Sequence, residues 1–370
     1  MRVGRRHLLP GEQVRVLIVD DSVVVRRLLT QALNSHPSLE VVGAAPDGSV
    51  ALQRMAQFSP DVVTLDIEMP GMNGLEVLRQ IRRDFPAVRV IMFSTLTECG
   101  AAMTLDALTL GADDYVTKTA KAFSGDAETS TLQHTLIPKI LQFFHLPDQN
   151  PAGDPGAGPA PSAKESAPFP SAAGGQPKVV VLGISTGGPT ALGAILPQIP
   201  ASFPLPILIV QHMPPVFTRL LAERLNKGCA LRVEEATPGA IVEQGRILIA
   251  PGDFHMSVAP VNGHISIALD QSPPQNFCRP AVDVLFRSAA EVYGGSAIAV
   301  VLTGMGQDGL RGARALKGSG ARVLAQDEAT SVVWGMPGAV AGSGIADRIL
   351  PLQEIVPVLN QLAARGGSSK

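Results

Sequence analysis

From Pro147 to Gln176 the chain consists mostly of proline, alanine, glycine and serine, with Pro151-Ala-Gly-Asp-Pro-Gly-Ala-Gly-Pro-Ala-Pro-Ser within it. Such a stretch cannot bury enough apolar area to offset the entropy of ordering it. It reads as a tether, so the 370 residues must fold as two bodies rather than one. The expected division is a disordered tail over 1–13, a first domain over 14–146, the linker over 147–176, a second domain over 177–363 and a disordered tail over 364–370.

Both bodies read as α/β. In the first, short Val/Ile-rich runs are expected as strands at Val14–Val19, Glu40–Ala44, Val62–Leu65, Val88–Phe93 and Asp114–Thr117. Amphipathic stretches lie between them, such as Val24, Leu28 and Ala32 at helical spacing. That alternation implies a parallel sheet covered on both faces. The second body repeats it, with strands expected at Val179–Leu182, Pro206–Val210, Ile247–Ala250, Ile298–Leu302 and Arg322–Ala325. Helices are expected at Thr190–Leu196, Phe217–Asn226, Ala281–Tyr293 and Gly309–Lys317, and a β-hairpin insertion between Leu231 and Leu269.

Composition removes several classes of function. A net charge of −2 leaves no electrostatic footprint for nucleic acid. No apolar run approaches the roughly 18 residues of a membrane span, so no membrane insertion is expected. Cys99, Cys229 and Cys278 are odd in number and far apart, which fits reduced thiols in a cytoplasmic protein.

In open parallel sheets, ligands bind beyond the carboxyl ends of the strands. The expected strands of the first body end there in Asp20-Asp21, Asp66, Ser94-Thr95 and Lys118. Converging carboxylates repel and call for a cation, and hard oxygen ligands suit Mg²⁺. A lysine and a hydroxyl beside them would hold phosphoryl oxygens, and an aspartate so placed can attack phosphorus. The plainer alternative is that Asp21 or Ser22 simply caps the next helix.

These residues, with Leu65-Asp66-Ile67-Glu68-Met69-Pro70-Gly71-Met72-Asn73-Gly74 and Tyr115-Val116-Thr117-Lys118, resemble a response-regulator receiver domain from Val14 to about Leu146. The resemblance implies a flavodoxin-like (βα)5 fold with Asp66 as phosphoacceptor. It also implies Asp20, Asp21 and Asp66 as holders of Mg²⁺, Ser94 and Lys118 as sensors of the phosphoryl group, and a histidine kinase as donor. Two positions depart from the family: Thr119 stands where a proline is usual, and Asn73 where aspartate is frequent.

In the second body, Gly183-Ile184-Ser185-Thr186-Gly187-Gly188 directly follows an apolar strand and matches G-x-S-x-G. This is how an acyl-transfer enzyme presents a nucleophile, although a plain glycine-rich strand–helix turn gives the same string. A serine needs a base and the base an orienter. His212 follows the strand Ile207–Val210 on the same sheet edge, whereas His255 lies in the β-like insertion. Asp308, in Leu302-Thr303-Gly304-Met305-Gly306-Gln307-Asp308-Gly309, could be either the orienter or a helix N-cap. The N–H groups of Gly304-Met305-Gly306 would form an oxyanion hole. Competing readings are a hydrolase of small esters or peptides with His255 as base, and a signalling adaptor that binds a nucleotide phosphate at its glycine turns.

The order Ser…His…Asp differs from that of α/β-hydrolases. With Gln211-His212-Met213-Pro214, Ala250-Pro251-Gly252-Asp253-Phe254-His255-Met256 and Cys278-Arg279-Pro280-Ala281-Val282-Asp283, the second body resembles the CheB-type methylesterase catalytic domains from about Lys178 to Leu362. A receiver, a tether and this domain is that family's layout. The resemblance implies a doubly wound, mostly parallel sheet, a Ser185–His212–Asp308 triad and the Met305 amide in the oxyanion hole, with no cofactor for the esterase reaction. It implies hydrolysis of glutamyl γ-methyl esters on chemoreceptors, with release of methanol, and deamidation of receptor glutamines. These reactions serve adaptation in chemotaxis or a related chemosensory pathway, and the unphosphorylated receiver is expected to cover the esterase cleft.

Overall fold

A computed structural model describes residues 6–118, 127–145 and 175–364. The chain forms two compact units. Most of the expected linker and the Lys118–Thr119 junction lie outside the described residues.

The N-terminal unit alternates β1 (Val14–Val19), α1 (Val23–Asn34), β2 (Leu39–Ala45), α2 (Gly48–Phe58), β3 (Val62–Asp66), α3 (Gly74–Asp84), β4 (Arg89–Thr95), α4 (Glu98–Thr109), β5 (Asp114–Lys118) and α5 (Ala127–Leu141). Every strand pairing is parallel, in the order β2-β1-β3-β4-β5. Strands covered on both faces are mostly apolar, and β1 and β3 are almost fully buried, with Arg15 the one half-buried residue. The helices start on side-chain caps: Ser22 Oγ accepts from Val25 N, Asp47 from Val50 N, and Asn73 forms a reciprocal capping box with Glu76. Ser22 thus takes the capping role, leaving Asp21 exposed beside the sheet edge. Asn73 has a helix-starting job of its own.

The expected disordered tail over 1–13 is corrected over its described part. Arg6–His7 pairs in parallel with Phe144–His145, Leu8 is buried, and Arg6 forms ion pairs with Glu12 and Asp61. A buried leucine and two carboxylate partners hold this segment in place.

The C-terminal unit contains β6 (Val179–Ile184), α6 (Gly188–Ile195), β7 (Ile207–Gln211), α7 (Phe217–Asn226), β8 (Arg232–Glu235) and β9 (Arg246–Ile249). There follow β10 (His255–Val261), β11 (His264–Asp270), α8 (Val282–Tyr293), β12 (Ala297–Val301), α9 (Leu310–Gly318), β13 (Arg322–Gln326), α10 (Met336–Gly342), β14 (Arg348–Leu350) and α11 (Ile355–Ala364). Seven strands form a wholly parallel sheet in the order β8-β9-β7-β6-β12-β13-β14. The hairpin expectation between Leu231 and Leu269 holds only for β10 and β11, which pair antiparallel from His255 to Asp270. The two pieces before it join the main sheet, because Val233 and Ile247–Ile249 are apolar enough to be covered there. The hairpin lies over one sheet face: Met256, Val258 and Ile267 share a buried cluster with Val181, Val210 and Val301 of the sheet and with Val282, Leu285 and Phe286 of α8. Burying one such phenylalanine contributes about 1.5–3 kcal/mol.

Among the described residues, no helix is long and apolar enough to cross a membrane.

Candidate active site and phosphoacceptor site

Strand order decides where each site can form. In the N-terminal sheet the order of strand addition switches sides between β1 and β3, and in the C-terminal sheet between β6 and β12. A crevice opens at the carboxyl end of such a switch point. Asp20-Asp21 leaves β1 and Asp66 ends β3. Ser185 leaves β6, while Thr303-Gly304-Met305 follows β12 and His212 follows β7.

In the first crevice, carboxylate oxygens of Asp20, Asp21 and Asp66 lie within 4.8 Å of one another. Asp20 and Asp66 are buried. Lys118 Nζ reaches both, at 2.9 Å from Asp20 and 2.7 Å from Asp66. One ammonium among three carboxylates leaves negative charge uncompensated, and the oxygen-only donor set fits a small hard cation. Burial pushes the Asp66 carboxyl up to about 6, with the Asp20 charge adding to the rise and Lys118 opposing it. Burial pulls Lys118 down, but its bonds to Asp66 and Asp20 more than offset that, leaving its pKa raised.

Ser94 is not brought to this cluster by any hydrogen bond among the described residues. Its hydroxyl is buried against α4, 3.0 Å from Gly100 O, and accepts from Thr104 Oγ1 at 2.6 Å. Thr104 escaped the sequence reading because it sits inside a helix with no motif around it.

In the second crevice, Ser185 is clamped through its backbone. Its N–H donates to Thr303 O at 3.0 Å, and its carbonyl accepts from Gln211 Nε2 at 3.0 Å and Gly188 N at 2.8 Å. Gly187 has φ +79, and a Cβ there would meet Val332 at 2.6 Å. Only glycine makes this turn without strain. Thr303 ties the surrounding loops together, donating to Thr186 O at 2.9 Å and accepting from Val333 N at 3.0 Å.

His212 N donates to Ile184 O at 3.1 Å, which sets the histidine alongside the Ser185 turn. Its Nε2 meets Asp308 Oδ2 at 2.8 Å, and its Nδ1 faces Cys278 Sγ at 3.6 Å. No hydrogen bond joins Ser185 Oγ to the ring among the described residues. Burial pulls the His212 pKa down, but Asp308 and Cys278 more than offset it, so the ring is held above its ordinary value. The Asp308 carboxyl is likewise pushed up by burial, yet His212 and the N–H groups of Val282 and Asp283 bring it below its ordinary value.

Asp308 does not take the helix-cap position expected as one of its alternatives. Gly309, not Asp308, is the N-cap of α9. Asp308 instead caps α8 from outside: Oδ2 accepts from Val282 N at 2.6 Å, and Oδ1 from Asp283 N at 3.0 Å. Asn276 Nδ2 bridges Asp308 Oδ1 at 2.8 Å and Asp283 Oδ2 at 3.0 Å. Asn276 and Cys278 are site residues that sequence reasoning missed, for neither follows a strand.

The oxyanion expectation narrows. Gly304 N–H is taken by Val333 O at 3.0 Å. Among the described residues, no acceptor takes the N–H of Met305 or Gly306. His255 is fully buried, with Nδ1 accepting from Ala281 N at 3.2 Å and Nε2 donating to Pro273 O at 3.2 Å. Both ring nitrogens are used, so His255 holds the 273–281 segment and has no nitrogen left for base catalysis. Arg279 is also engaged, by Asp253 and by the carbonyls of Gln271 and Ser272.

A carboxylate cluster at one switch point and a serine with a histidine–aspartate pair at another define a response regulator with an esterase-type effector. Residues 16–124 match the response regulator receiver domain family, and residues 180–359 match the CheB methylesterase family. A protein of Trichodesmium erythraeum named protein-glutamate methylesterase/protein-glutamine glutaminase is 47% identical over 92% of this chain and 96% of its own. A protein of Nocardioides sp. with the same name is 49% identical over 96% of each chain. The crystal structure of the Thermotoga maritima CheB methylesterase catalytic domain is 48% identical, with a TM-score of 0.50, over 50% of this chain and 99% of its own. The chain belongs to the CheB methylesterase family, in its form with an N-terminal receiver domain.

Proposed function

We propose that the chain is a phosphorylation-regulated protein-glutamate methylesterase, with Ser185, His212 and Asp308 as its triad. The observation that carries this reading is the His212–Asp308 pair beside Ser185 at the switch point of the parallel sheet. With Nε2 committed to Asp308, Nδ1 is the nitrogen left to act as base. Ser185 Oγ attacks the γ-carbonyl of a glutamyl methyl ester as its proton passes to His212 Nδ1. The N–H groups of Met305 and Gly306 take the oxyanion. As the C–OCH₃ bond breaks, His212 returns the proton and methanol leaves. Water then attacks the acyl-enzyme, giving a proton to His212, and Ser185 departs with it, leaving glutamate. The same attack on a γ-amide releases ammonia and accounts for deamidation of glutamine.

At the receiver, Asp66 is proposed as the phosphoacceptor, with a chemotaxis histidine kinase as donor and methyl-accepting chemoreceptors as the esterase substrate, all on the cytoplasmic side. Asp20, Asp21 and Asp66 would hold Mg²⁺, which when bound supplies charge neutralisation for an incoming phosphoryl group. Lys118 is placed to pair with that group, and Ser94 reaches it by leaving its bond to Gly100 O.

The test is methanol release from methylated receptor membranes, with and without Mg²⁺ and a small phosphodonor. Release is expected from the wild type and not from Ser185→Ala, and it should rise with donor except in Asp66→Asn. Serine-independent release in a folded variant rejects the triad. An undiminished donor response in Asp66→Asn rejects the phosphoacceptor assignment.

A further inference from the structure

Between Gln275 and Cys278 the chain makes a two-residue hairpin turn, closed by reciprocal backbone bonds of 3.0 and 2.9 Å. Both central residues have positive φ, Asn276 at 51° and Phe277 at 62°. This is the turn that favours Asn-Gly, and a bulky residue at its second position is strained. The Phe277 ring is also fully exposed, at 103% of its reference area. Folding therefore gains neither backbone ease nor apolar burial from this side chain, and a glycine would serve the turn better.

The segment around it is held rigidly. His255 bonds Pro273 O and Ala281 N, Arg279 bonds Asp253, and Arg287 Nη2 donates to Gln275 Oε1 at 2.5 Å. Strain of this kind persists only where the surroundings over-determine it, and it gathers at functional sites. The flanking residues place the ring: Asn276 is bonded to Asp308, and Cys278 faces His212. An aromatic side chain is thus presented to solvent at the rim of the esterase site, with both neighbours touching the histidine–aspartate pair.

We propose that Phe277 grips the polypeptide around the scissile ester, packing on an apolar side chain next to the modified glutamyl residue. The inference rests on the methylesterase reading and names the contact that selects a protein ester over a small one. A rigid aromatic with few torsions offers apolar contact at low entropic cost, as aromatic anchors do in other interfaces.

The test compares wild type, Phe277→Ala, Phe277→Leu and Phe277→Gly on methylated receptor membranes and on N-acetyl-glutamate γ-methyl ester, reading methanol. With Phe277→Ala, KM for the receptor should rise about tenfold, equivalent to ~1.4 kcal/mol, with kcat changing much less. The preference for receptor over small ester should fall by about the same factor, and Phe277→Leu should restore most of it. Phe277→Gly completes an Asn-Gly turn, so its catalytic domain should melt about 2–4 °C higher while its KM rises as for Ala. An unchanged receptor KM in Phe277→Ala, equal losses on both substrates, or a lower melting temperature in Phe277→Gly would overturn the proposal. If the wild type releases methanol from the small ester and not from the receptor, the grip is overturned and the esterase chemistry stands. Release from neither substrate overturns both.

Discussion

Asp308→Asn swaps an acceptor-only group for one with a single acceptor, in a pocket where every neighbour donates. Oδ2 faces His212 Nε2 and Val282 N, whereas Oδ1 faces Asn276 Nδ2, Asp283 N and Gly309 N. An asparagine NH₂ at the Oδ1 position would oppose three donors, so it should settle at the Oδ2 position and oppose two. His212 can relieve one conflict by moving its proton from Nε2 to Nδ1. That tautomer cannot accept the Ser185 proton, and kcat should fall by about 10⁴, the size of loss seen when a triad histidine is held in the wrong tautomer. The other conflict leaves Val282 N–H buried without an acceptor, worth about 1–3 kcal/mol, and the N-terminus of α8 loses a facing anion, worth about 0.3–1 kcal/mol. A loss of about 3 kcal/mol lowers the catalytic-domain transition by roughly 6–12 °C. Methanol release and differential scanning calorimetry on the full chain would measure both. A folded variant that keeps kcat within tenfold of wild type would refute the tautomer argument, and an unshifted transition would refute the account of Asp308 as the cap of α8.

The same pair predicts a pH window. Asp308 titrates below its ordinary 3.8, so its stabilisation is present above that value and lost as pH falls through the folded pKa; His212 titrates above its ordinary 6.5, so its share is full below that value and lost as pH rises through the folded pKa. The catalytic-domain melting temperature should therefore be greatest between about pH 4 and 6.5 and decline on the alkaline side, and Asp308→Asn should flatten this profile. Because the reaction needs the neutral ring, kcat/KM should climb with pH through neutrality, and Cys278→Ala, which removes one contact that raises His212, should move that acid limb to lower pH; an unmoved limb rejects the Cys278 contribution. Iodoacetamide should inactivate the wild type by alkylating Cys278 beside His212, with Cys278→Ser resistant; equal inactivation of the two would assign the effect to Cys99 or Cys229. Gly304→Ala would set a Cβ 2.7 Å from Ser185 Cβ and 2.6 Å from Met336 Sδ, so methanol release should drop by at least about 10²-fold, the scale of one lost oxyanion donor; near-normal turnover would show that Ser185 can shift freely.

Residues legible in the sequence share one property: each stands at the end of a strand. Asp20 and Asp66 stand at the ends of buried strands of one sheet and Lys118 at the end of its half-buried edge strand, while Ser185 and His212 follow buried strands of the other. In a parallel sheet those positions share an edge, so a one-dimensional pattern carries three-dimensional meaning. Asp308 shows where the pattern fails. A carboxylate next to a helix start is expected to cap that helix, yet this one caps a neighbour that begins 26 residues earlier in the chain. Strand and helix periodicity says nothing about which helix N-terminus a side chain will reach. Ser94 fails differently, because its place at the end of β4 was readable and the direction of its hydroxyl, set by Thr104 on α4, was not.

The segment from Pro273 to Ala281 was least legible, and it shows how the hairpin insertion serves the site. His255 opens β10 and is buried, and it spends both ring nitrogens on this segment. Asp253, just before β10, holds Arg279. The hairpin is itself anchored on the sheet through Met256, Val258 and Ile267. Sheet packing thus fixes the hairpin, the hairpin fixes the segment, and the segment brings Asn276 and Cys278 to the histidine–aspartate pair. Replacing His255 should therefore disturb catalysis without removing the base. His255→Ala is expected to lower kcat, to loosen the turn at Phe277 and to raise KM for receptor, whereas His212→Ala should abolish turnover. A His255→Ala loss as complete as that of His212→Ala, in a domain with unchanged melting temperature, would return His255 to the role of base and overturn this chain of support.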